Sequence, residues 1–226
     1  KTLDPARSYT SKEYQFIAQI YEPLLEYDYL ARPYELVPLS AGEMPDITYL
    51  DEKFNPIADF AHQQIAYSVY TVRLKKGLHY QPHPAFARDD KGYYRYLSLS
   101  SNYIDSAKIN ALSDFPGIGT REVRADDFIY QIKRLATPSV SSPIYGLMSQ
   151  YILGFKEFAY QLPAKKNKAE FLDLRRYPFS GLKKLDDYTF QITIKGQYPQ
   201  FLFWLAMPFF SPIPWEADQF YSQPGM

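Results

Sequence analysis

The chain has 226 residues, with 25 basic and 25 acidic side chains and no cysteine. The balanced charge argues against nucleic acid as a partner, since phosphate binding requires clustered positive charge. The lack of cysteine excludes disulfide scaffolds and thiolate catalysis. No apolar run approaches the roughly 20 residues needed to span a bilayer.

Secondary-structure signals in the first part of the chain predict one helix and two strands. Thr10 and Glu13 have the spacing of a capping box, so a helix is expected to begin there. Pro23 is expected to end it near Tyr21 or Glu22. Residues 24–29 are predicted to form a short strand, residues 40–64 an irregular segment, and residues 66–74 a strand with alternating faces.

The second part of the chain alternates between loops and stronger signals. Residues 78–81 and 94–99 are predicted as short strands, the latter within a long excursion over residues 82–122. An amphipathic helix is expected over residues 126–135, because acidic residues fill its first turn and basic residues its last. Further helices are predicted over residues 145–161 and 200–206. A strand is predicted over residues 188–194.

Four segments, taken in order, resemble the family 5 extracellular solute-binding proteins, which are the oligopeptide- and dipeptide-binding components of bacterial ABC importers. They are TLDPA at 2–6 followed by IYEPLL at 20–25, YTVRLKKG at 70–77, ADDFIY at 125–130, and DYTFQI at 187–192 followed by SPIP at 211–214. The chain departs from the family pattern after residue 81, where some forty extra residues separate the second segment from the third.

The resemblance implies a mixed α/β fold of the periplasmic-binding-protein type II kind. In that family two lobes close on the ligand, and the first lobe carries an inserted subdomain of sheet and helices. By position, residues 1–24 and 196–226 would belong to the first lobe and residues 25–195 to the inserted subdomain. The chain would correspond to the N-terminal portion of such a protein, with the second lobe absent.

The resemblance also implies a function, in which extended peptides are captured between the lobes and delivered to an ABC permease in the inner membrane. In the family, main-chain groups just after the Leu-Asp-Pro turn pair with the peptide, and here that stretch is Tyr9, Thr10 and Ser11. Tyr145 lies beside the position of a ligand-contacting tyrosine in some relatives, although Ile144 aligns with it. A packed helix position is the favoured alternative for Tyr145, and a plain helix cap is an equal alternative for Thr10.

The expected protein is a periplasmic monomer without catalytic residues, metal or cofactor, and a lipid anchor stays an open alternative. His79 and His83 have a spacing that could hold zinc on a helix, but Pro82 and Pro84 argue against a helix there. The 22 tyrosines, 16 phenylalanines and 2 tryptophans leave a different class open. That alternative is a carbohydrate-active enzyme or a sugar-binding module that uses aromatic side chains.

Overall fold

The computed structural model describes residues 2–58, 64–100, 102–163 and 171–226. The chain forms two compact units, each built from three stretches of sequence. The larger contains residues 1–75, 124–162 and 175–212, and the smaller contains residues 76–123, 163–174 and 213–226. His62 lies outside the described residues, as do residues 164–170 of the lysine-rich stretch 163–170, for which the sequence predicts a loop.

The larger unit is organised around an antiparallel sheet of four strands. Its strands are β3 (Asp46–Leu50), β4 (Tyr67–Arg73), β5 (Leu182–Lys184) and β6 (Thr189–Lys195), and their spatial order is β3-β4-β6-β5. A separate hairpin pairs β1 (Leu25–Tyr27) with β2 (Leu36–Pro38). The pairing of Tyr70 with Ile192 sets the register of the two central strands. Both central strands were predicted, because their residues alternate between a buried and a more exposed face.

The described part of the chain contains seven α-helices. The first six are α1 Ser11–Ile20, α2 Tyr103–Ser106, α3 Ala125–Leu135, α4 Tyr145–Tyr151, α5 Phe155–Gln161 and α6 Phe201–Trp204. The seventh, α7, spans Trp215–Tyr221. Helix α3 packs against β5 and β6, where the ring of Phe128 stacks on Phe190 with centroids 5.8 Å apart. The core of the larger unit therefore lies between the sheet and α3, as the apolar face of the predicted helix requires.

One helix predicted over residues 145–161 is in fact two. The chain leaves the helical path at Ile152, which forms a bridge with Ile194, and the Leu153 amide donates to the Thr193 carbonyl at 3.0 Å. Gly154 then has φ +74° and starts α5. Residues 152–153 thus occupy the edge of β6 beyond the end of β5. A continuous helix would leave the Thr193 carbonyl of β6 without the Leu153 amide as its donor.

The smaller unit contains the long excursion, and it shows two further errors of prediction. Neither residues 78–81 nor 94–99 form a strand. Residues 78–83 make only isolated bridges, at His79 with Glu122 and at His83 with Gly119, because Pro82 has no N–H for a continuous ladder. The backbone of residues 96–99 instead forms hydrogen bonds with two side chains. Gln219 lies in α7, and Gln223 follows that helix.

The smaller unit has an aromatic core of its own. The rings of Phe115 and Phe220 lie 5.3 Å apart, and Tyr96 packs on Phe115 at 5.0 Å. In the same unit Arg121 forms an ion pair with Glu216, whose side chain is 2% exposed, and the Tyr94 hydroxyl donates to the same carboxylate at 2.7 Å. The extra forty residues are therefore a packed structure that α7 helps to complete, not a loose loop.

The predicted short strand and last helix exist but are shorter, as β1 and α6. The prediction missed β3, which lies within the segment expected to be irregular. Its residues are exposed or half-buried, because β3 is an edge strand. An edge strand lacks the strong apolar alternation on which the prediction depends. Within the described residues, no helix combines the length and the hydropathy that a bilayer span requires.

Candidate functional site

A groove of about 420 Å³ opens in the larger unit beside the start of α1. Residues of the N-terminal segment and of α1 form one side, and residues 207–209 form the other. The polar part of its lining comes from Ser8, Tyr9, Thr10, Ser11 and Tyr14. The apolar part comes from Pro5, Ile17, Met207, Pro208 and Phe209. Its size is within the range of ligand pockets in proteins.

The Leu-Asp-Pro turn is fixed by a partly buried ion pair. Asp4 accepts two hydrogen bonds from Arg134 of α3, at 3.0 Å to Oδ1 and 2.8 Å to Oδ2. The Asp4 carboxylate also accepts from the Ala6 amide, and its carbonyl accepts from Arg7 and Ser8. Burial raises the pKa of Asp4, but the hydrogen bond and charge of Arg134 outweigh that effect and hold the pKa below its usual value. The turn is therefore tied to the helix that forms the core.

The predicted capping box is present, and its glutamate does more than cap the helix. Thr10 accepts from the Glu13 amide at 3.3 Å, and the Glu13 carboxylate accepts from the amides of Thr2, Tyr9 and Thr10. The Ser8 hydroxyl also donates to it at 3.1 Å. The backbone hydrogen bonds from Thr2 and Thr10 lower the pKa of Glu13 to about 2. This charged carboxylate organises the segment that lines the groove.

Two main-chain groups of this segment remain without a hydrogen-bond partner among the described residues. The amides of Tyr9 and Thr10 donate to Glu13, and the Thr10 carbonyl accepts from Tyr14 in α1. The Tyr9 carbonyl and the Ser11 amide take part in none of these bonds. They flank Thr10, whose backbone is extended, with φ −89° and ψ 149°. A carbonyl and an amide two residues apart on extended backbone are the groups that one residue of a neighbouring parallel strand would engage.

The structure brings three of the four predicted site residues together. Tyr9, Thr10 and Ser11 line the groove, and Tyr9 is 73% exposed. Tyr145 does not line it. Its half-buried ring packs on Phe155 with centroids 5.4 Å apart, and burial raises the pKa of its hydroxyl. Ile144, beside it, is buried.

The sequence did not indicate the other wall of the groove. Met207, Pro208 and Phe209 are far from residue 9 in the chain, and they follow the short helix α6. The Phe209 carbonyl accepts from Gln131 of α3 at 2.8 Å. The same helix thus holds both walls, through Gln131 on one side and through Arg134 on the other. The available signal is the apolar run over residues 201–210, which is too short to span a bilayer and does not by itself indicate a groove.

The chemistry of the described residues gives no metal centre. No group of three or more His, Asp or Glu side chains lies close enough together in the described part of the chain to hold an ion. The imidazole of His83 is engaged in the smaller unit, where Nδ1 accepts from the Ala85 amide at 3.0 Å and Nε2 lies 2.9 Å from the Tyr221 hydroxyl. His79 is exposed and contacts the Gly77 carbonyl.

The fold described above is shared with solved structures of peptide-binding proteins. Among solved structures, the chain is similar to a peptide-bound OppA of Listeria monocytogenes, with a TM-score of 0.52 and 15% identity, covering 94% of this chain and 28% of that one. The pheromone receptor PrgZ gives a TM-score of 0.55 at 16% identity, covering 95% and 29%. The murein tripeptide binding protein MppA of Escherichia coli gives 0.53 at 17% identity, covering 94% and 28%.

Sequence comparison also finds peptide-binding proteins. The chain is 37% identical over 95 residues to the periplasmic oligopeptide-binding protein OppA of Salmonella typhimurium, a match covering 42% of this chain and 16% of that protein. It is 33% identical over 109 residues to OppA of Escherichia coli, covering 46% and 18%. No family model matches. The match thus covers less than a fifth of the length of these curated relatives.

The comparisons confirm the resemblance and the fold class that the sequence predicted. The chain is related in sequence and in fold to peptide-binding proteins of ABC importers, and it corresponds to part of them. They give no support to the alternative of a carbohydrate-active enzyme or sugar-binding module.

Proposed function

We propose that this chain is part of a substrate-binding component of a peptide ABC transporter, and that the groove beside α1 holds the main chain of an extended peptide. The observation that carries the proposal is the placement of the stretch that follows the Leu-Asp-Pro turn. The predicted contact residues, Tyr9 to Ser11, line a groove, and their Tyr9 carbonyl and Ser11 amide have no partner among the described residues. Pairing through main-chain groups gives affinity without reading side chains.

The rest of the proposal follows from the relatives. Residues 1–24 and 196–226 would form first-lobe segments, and residues 25–195 would form the inserted subdomain. The protein would act in the periplasm as a monomer, deliver peptide to a permease in the inner membrane, and carry out no catalysis itself. The OppA proteins it resembles are named as periplasmic, and solved relatives are named as peptide-bound. Tyr145 is proposed as a secondary contact only, because it lies outside the groove lining.

The experiment uses the protein in its natural length and a set of short peptides. We expect several peptides to raise the melting temperature, because a ligand at 100 times its Kd stabilises the folded state by about 2.7 kcal/mol. One good ligand is then resynthesised with a single N-methyl group at each amide in turn. Methylation of the amide that donates to the Tyr9 carbonyl is expected to weaken binding by about tenfold or more.

The matched control is the same peptide methylated at amides that face away from the groove, where only small losses are expected. Equal losses at every amide would contradict main-chain pairing at Tyr9. The absence of a thermal shift with any member of a varied peptide library would contradict the proposed function as a whole.

A further inference from the structure

A second cavity of the larger unit carries an excess of positive charge. It has a volume of about 810 Å³ and is formed by residues of α3, of α5 and of the stretches 175–180 and 182–184. None of its lining residues lines the groove beside α1. Its charged lining residues are the acidic Asp126 and Glu157 and the basic Lys133, Arg175, Arg176, Lys183 and Lys184. A chain with balanced charge overall thus concentrates cations around one cavity.

One of the two acidic residues belongs to a balanced network of charges. The Lys184 ammonium lies 2.5 Å from the Asp126 carboxylate and 2.8 Å from that of Asp187. Asp187 also pairs with Arg124, at 2.9 Å. Two cations and two carboxylates therefore balance each other at this end of the cavity. The excess positive charge comes from the other four basic residues of the lining, which face only the carboxylate of Glu157 among the remaining lining residues.

The segment after the two arginines is tied to both helices of the cavity. Three consecutive carbonyls, those of residues 177–179, accept hydrogen bonds. The Lys133 ammonium of α3 donates to the first at 2.7 Å, and the Gln161 side chain of α5 donates to the second at 2.7 Å. The Leu182 amide of β5 donates to the third at 3.1 Å. Each of these oxygens, which would repel an anion, therefore already has a donor.

Lys133 brings a cation to a largely buried position of the lining. The residue is 8% exposed, and its ammonium lies 5.7 Å from the ring centroid of Phe158, which is 1% exposed. An aromatic ring attracts a cation and carries no net charge. Because charges interact more strongly where water is partly excluded, Lys133 is expected to attract an anion more strongly than a cation on the open surface would.

We propose that this cavity binds a small anion that bears a phosphoryl group, with four basic residues of its lining as contacts. They are Lys133, Arg175, Arg176 and Lys183. A guanidinium engages two phosphoryl oxygens at once, and an ammonium binds them as a point charge. The volume is within the range of ligand pockets, so a phosphorylated organic compound fits as well as an inorganic ion. The site is separate from the groove and does not depend on the peptide-binding function.

The first experiment titrates the protein in its natural length with sodium pyrophosphate by calorimetry, at constant ionic strength and without divalent cations. We expect saturable binding. Lys183→Gln is expected to raise the Kd by about threefold to tenfold, because it removes an exposed cation of the lining. Glu157→Gln removes a carboxylate of the lining and is expected to lower the Kd by about threefold.

Lys156→Gln is the matched control, because Lys156 is an exposed cation of α5 that does not line the cavity. It changes the net charge of the protein by the same amount as Lys183→Gln, and it is expected to leave the Kd of pyrophosphate unchanged. Equal weakening by the two variants would mean that pyrophosphate responds to the overall charge alone, and this result would overturn the site.

The second experiment identifies the source of the phosphoryl group. Vesicles of phosphatidylcholine, with and without phosphatidylglycerol, are sedimented with the protein and with the same three variants. Binding that requires phosphatidylglycerol and follows the same order of variants would assign the cavity to a lipid headgroup. Binding of pyrophosphate alone would assign it to a free phosphorylated compound. If neither probe bound, the anion site would be disproved, and the proposed peptide function, which the peptide experiments test separately, would stand.

Discussion

The guanidinium of Arg134 holds the carboxylate of Asp4 in a two-point contact, with Nη1 to Oδ1 at 3.0 Å and Nη2 to Oδ2 at 2.8 Å. The Arg134 side chain is 10% exposed and that of Asp4 is 23% exposed. This geometry connects the turn at the start of the chain to the last turn of α3, 130 residues later. It positions the segment that lines the groove, since Tyr9 to Ser11 follow directly.

Replacement of Asp4 by Asn is expected to lower the free energy of unfolding by about 2–3 kcal/mol, because it leaves the Arg134 charge largely buried without its counter-ion. The lowered pKa of Asp4 also sets a pH dependence. The stabilisation from the Asp4 carboxylate is present above the pKa of Asp4 in the unfolded chain, and it is lost as the pH falls through its lower pKa in the folded chain. The free energy of unfolding of Asp4→Asn should therefore lack this part of the dependence on acid. Urea unfolding at pH 7 and at pH 3 tests both statements. Glu52→Gln, at an exposed position, is the control and should change little.

The ion pair between Arg121 and Glu216 is expected to matter far more than the exposed pairs of the larger unit. Glu216→Ala should destabilise the smaller unit by about 3–5 kcal/mol, because it removes the carboxylate that pairs with Arg121 and accepts from the Tyr94 hydroxyl. Glu43→Ala breaks an exposed ion pair with Arg73 and should cost less than about 1 kcal/mol. Hydrogen exchange of the amides of residues 84–99 reports on the smaller unit. Similar protection in the two variants would disprove the stabilising role of Glu216.

Acid is expected to loosen the start of the smaller unit through His83. Burial lowers the pKa of His83, and its Nδ1 accepts from the Ala85 amide, so a proton on Nδ1 would remove that hydrogen bond. A lowered folded pKa means that the stabilisation is complete above the unfolded value of 6.5 and declines as the pH falls below it. Exchange of the Ala85 amide should therefore accelerate, beyond its intrinsic pH dependence, between about pH 6.5 and pH 5.

His83→Asn is the informative variant for this effect, since the Asn side chain keeps an acceptor for the Ala85 amide and does not titrate. It should abolish the excess acceleration, whereas His79→Asn, at an exposed position, should leave it intact. If exchange of the Ala85 amide kept the same pH profile in His83→Asn, groups other than His83 would cause the effect.

The break between α4 and α5 depends on a glycine. Gly154 has φ +74°, and a β-carbon there would overlap the Ser180 hydroxyl. Gly154→Ala is therefore expected to destabilise the larger unit by about 1–3 kcal/mol. Gly146 lies inside α4 with no atom near its added β-carbon, so Gly146→Ala should stabilise by about 0.5–1 kcal/mol. Thermal unfolding compares the two variants, and a shift of the same sign in both would be inconsistent with this explanation.

The sequence by itself predicted the elements whose signal is local. The capping box of Thr10 and Glu13 is present as expected, and α3 begins and ends within one residue of its prediction. These signals depend on side chains three or four positions apart, which a helix brings together without help from the rest of the fold. The resemblance to peptide-binding proteins was also carried by short local segments. The ligand contacts that it implies at Tyr9, Thr10 and Ser11 stay a prediction, and these three residues line the groove.

The tertiary structure alone decided which distant segments meet. It joined residues 207–209 to the N-terminal segment, ended the long helix where residues 152–153 pair with β6, and used Gln219 and Gln223 in place of a strand partner for residues 96–99. In the last two cases a backbone group found its hydrogen-bond partner in a residue far away in the chain. Periodicity and propensity describe neighbours in sequence, so they contain no information about such partners.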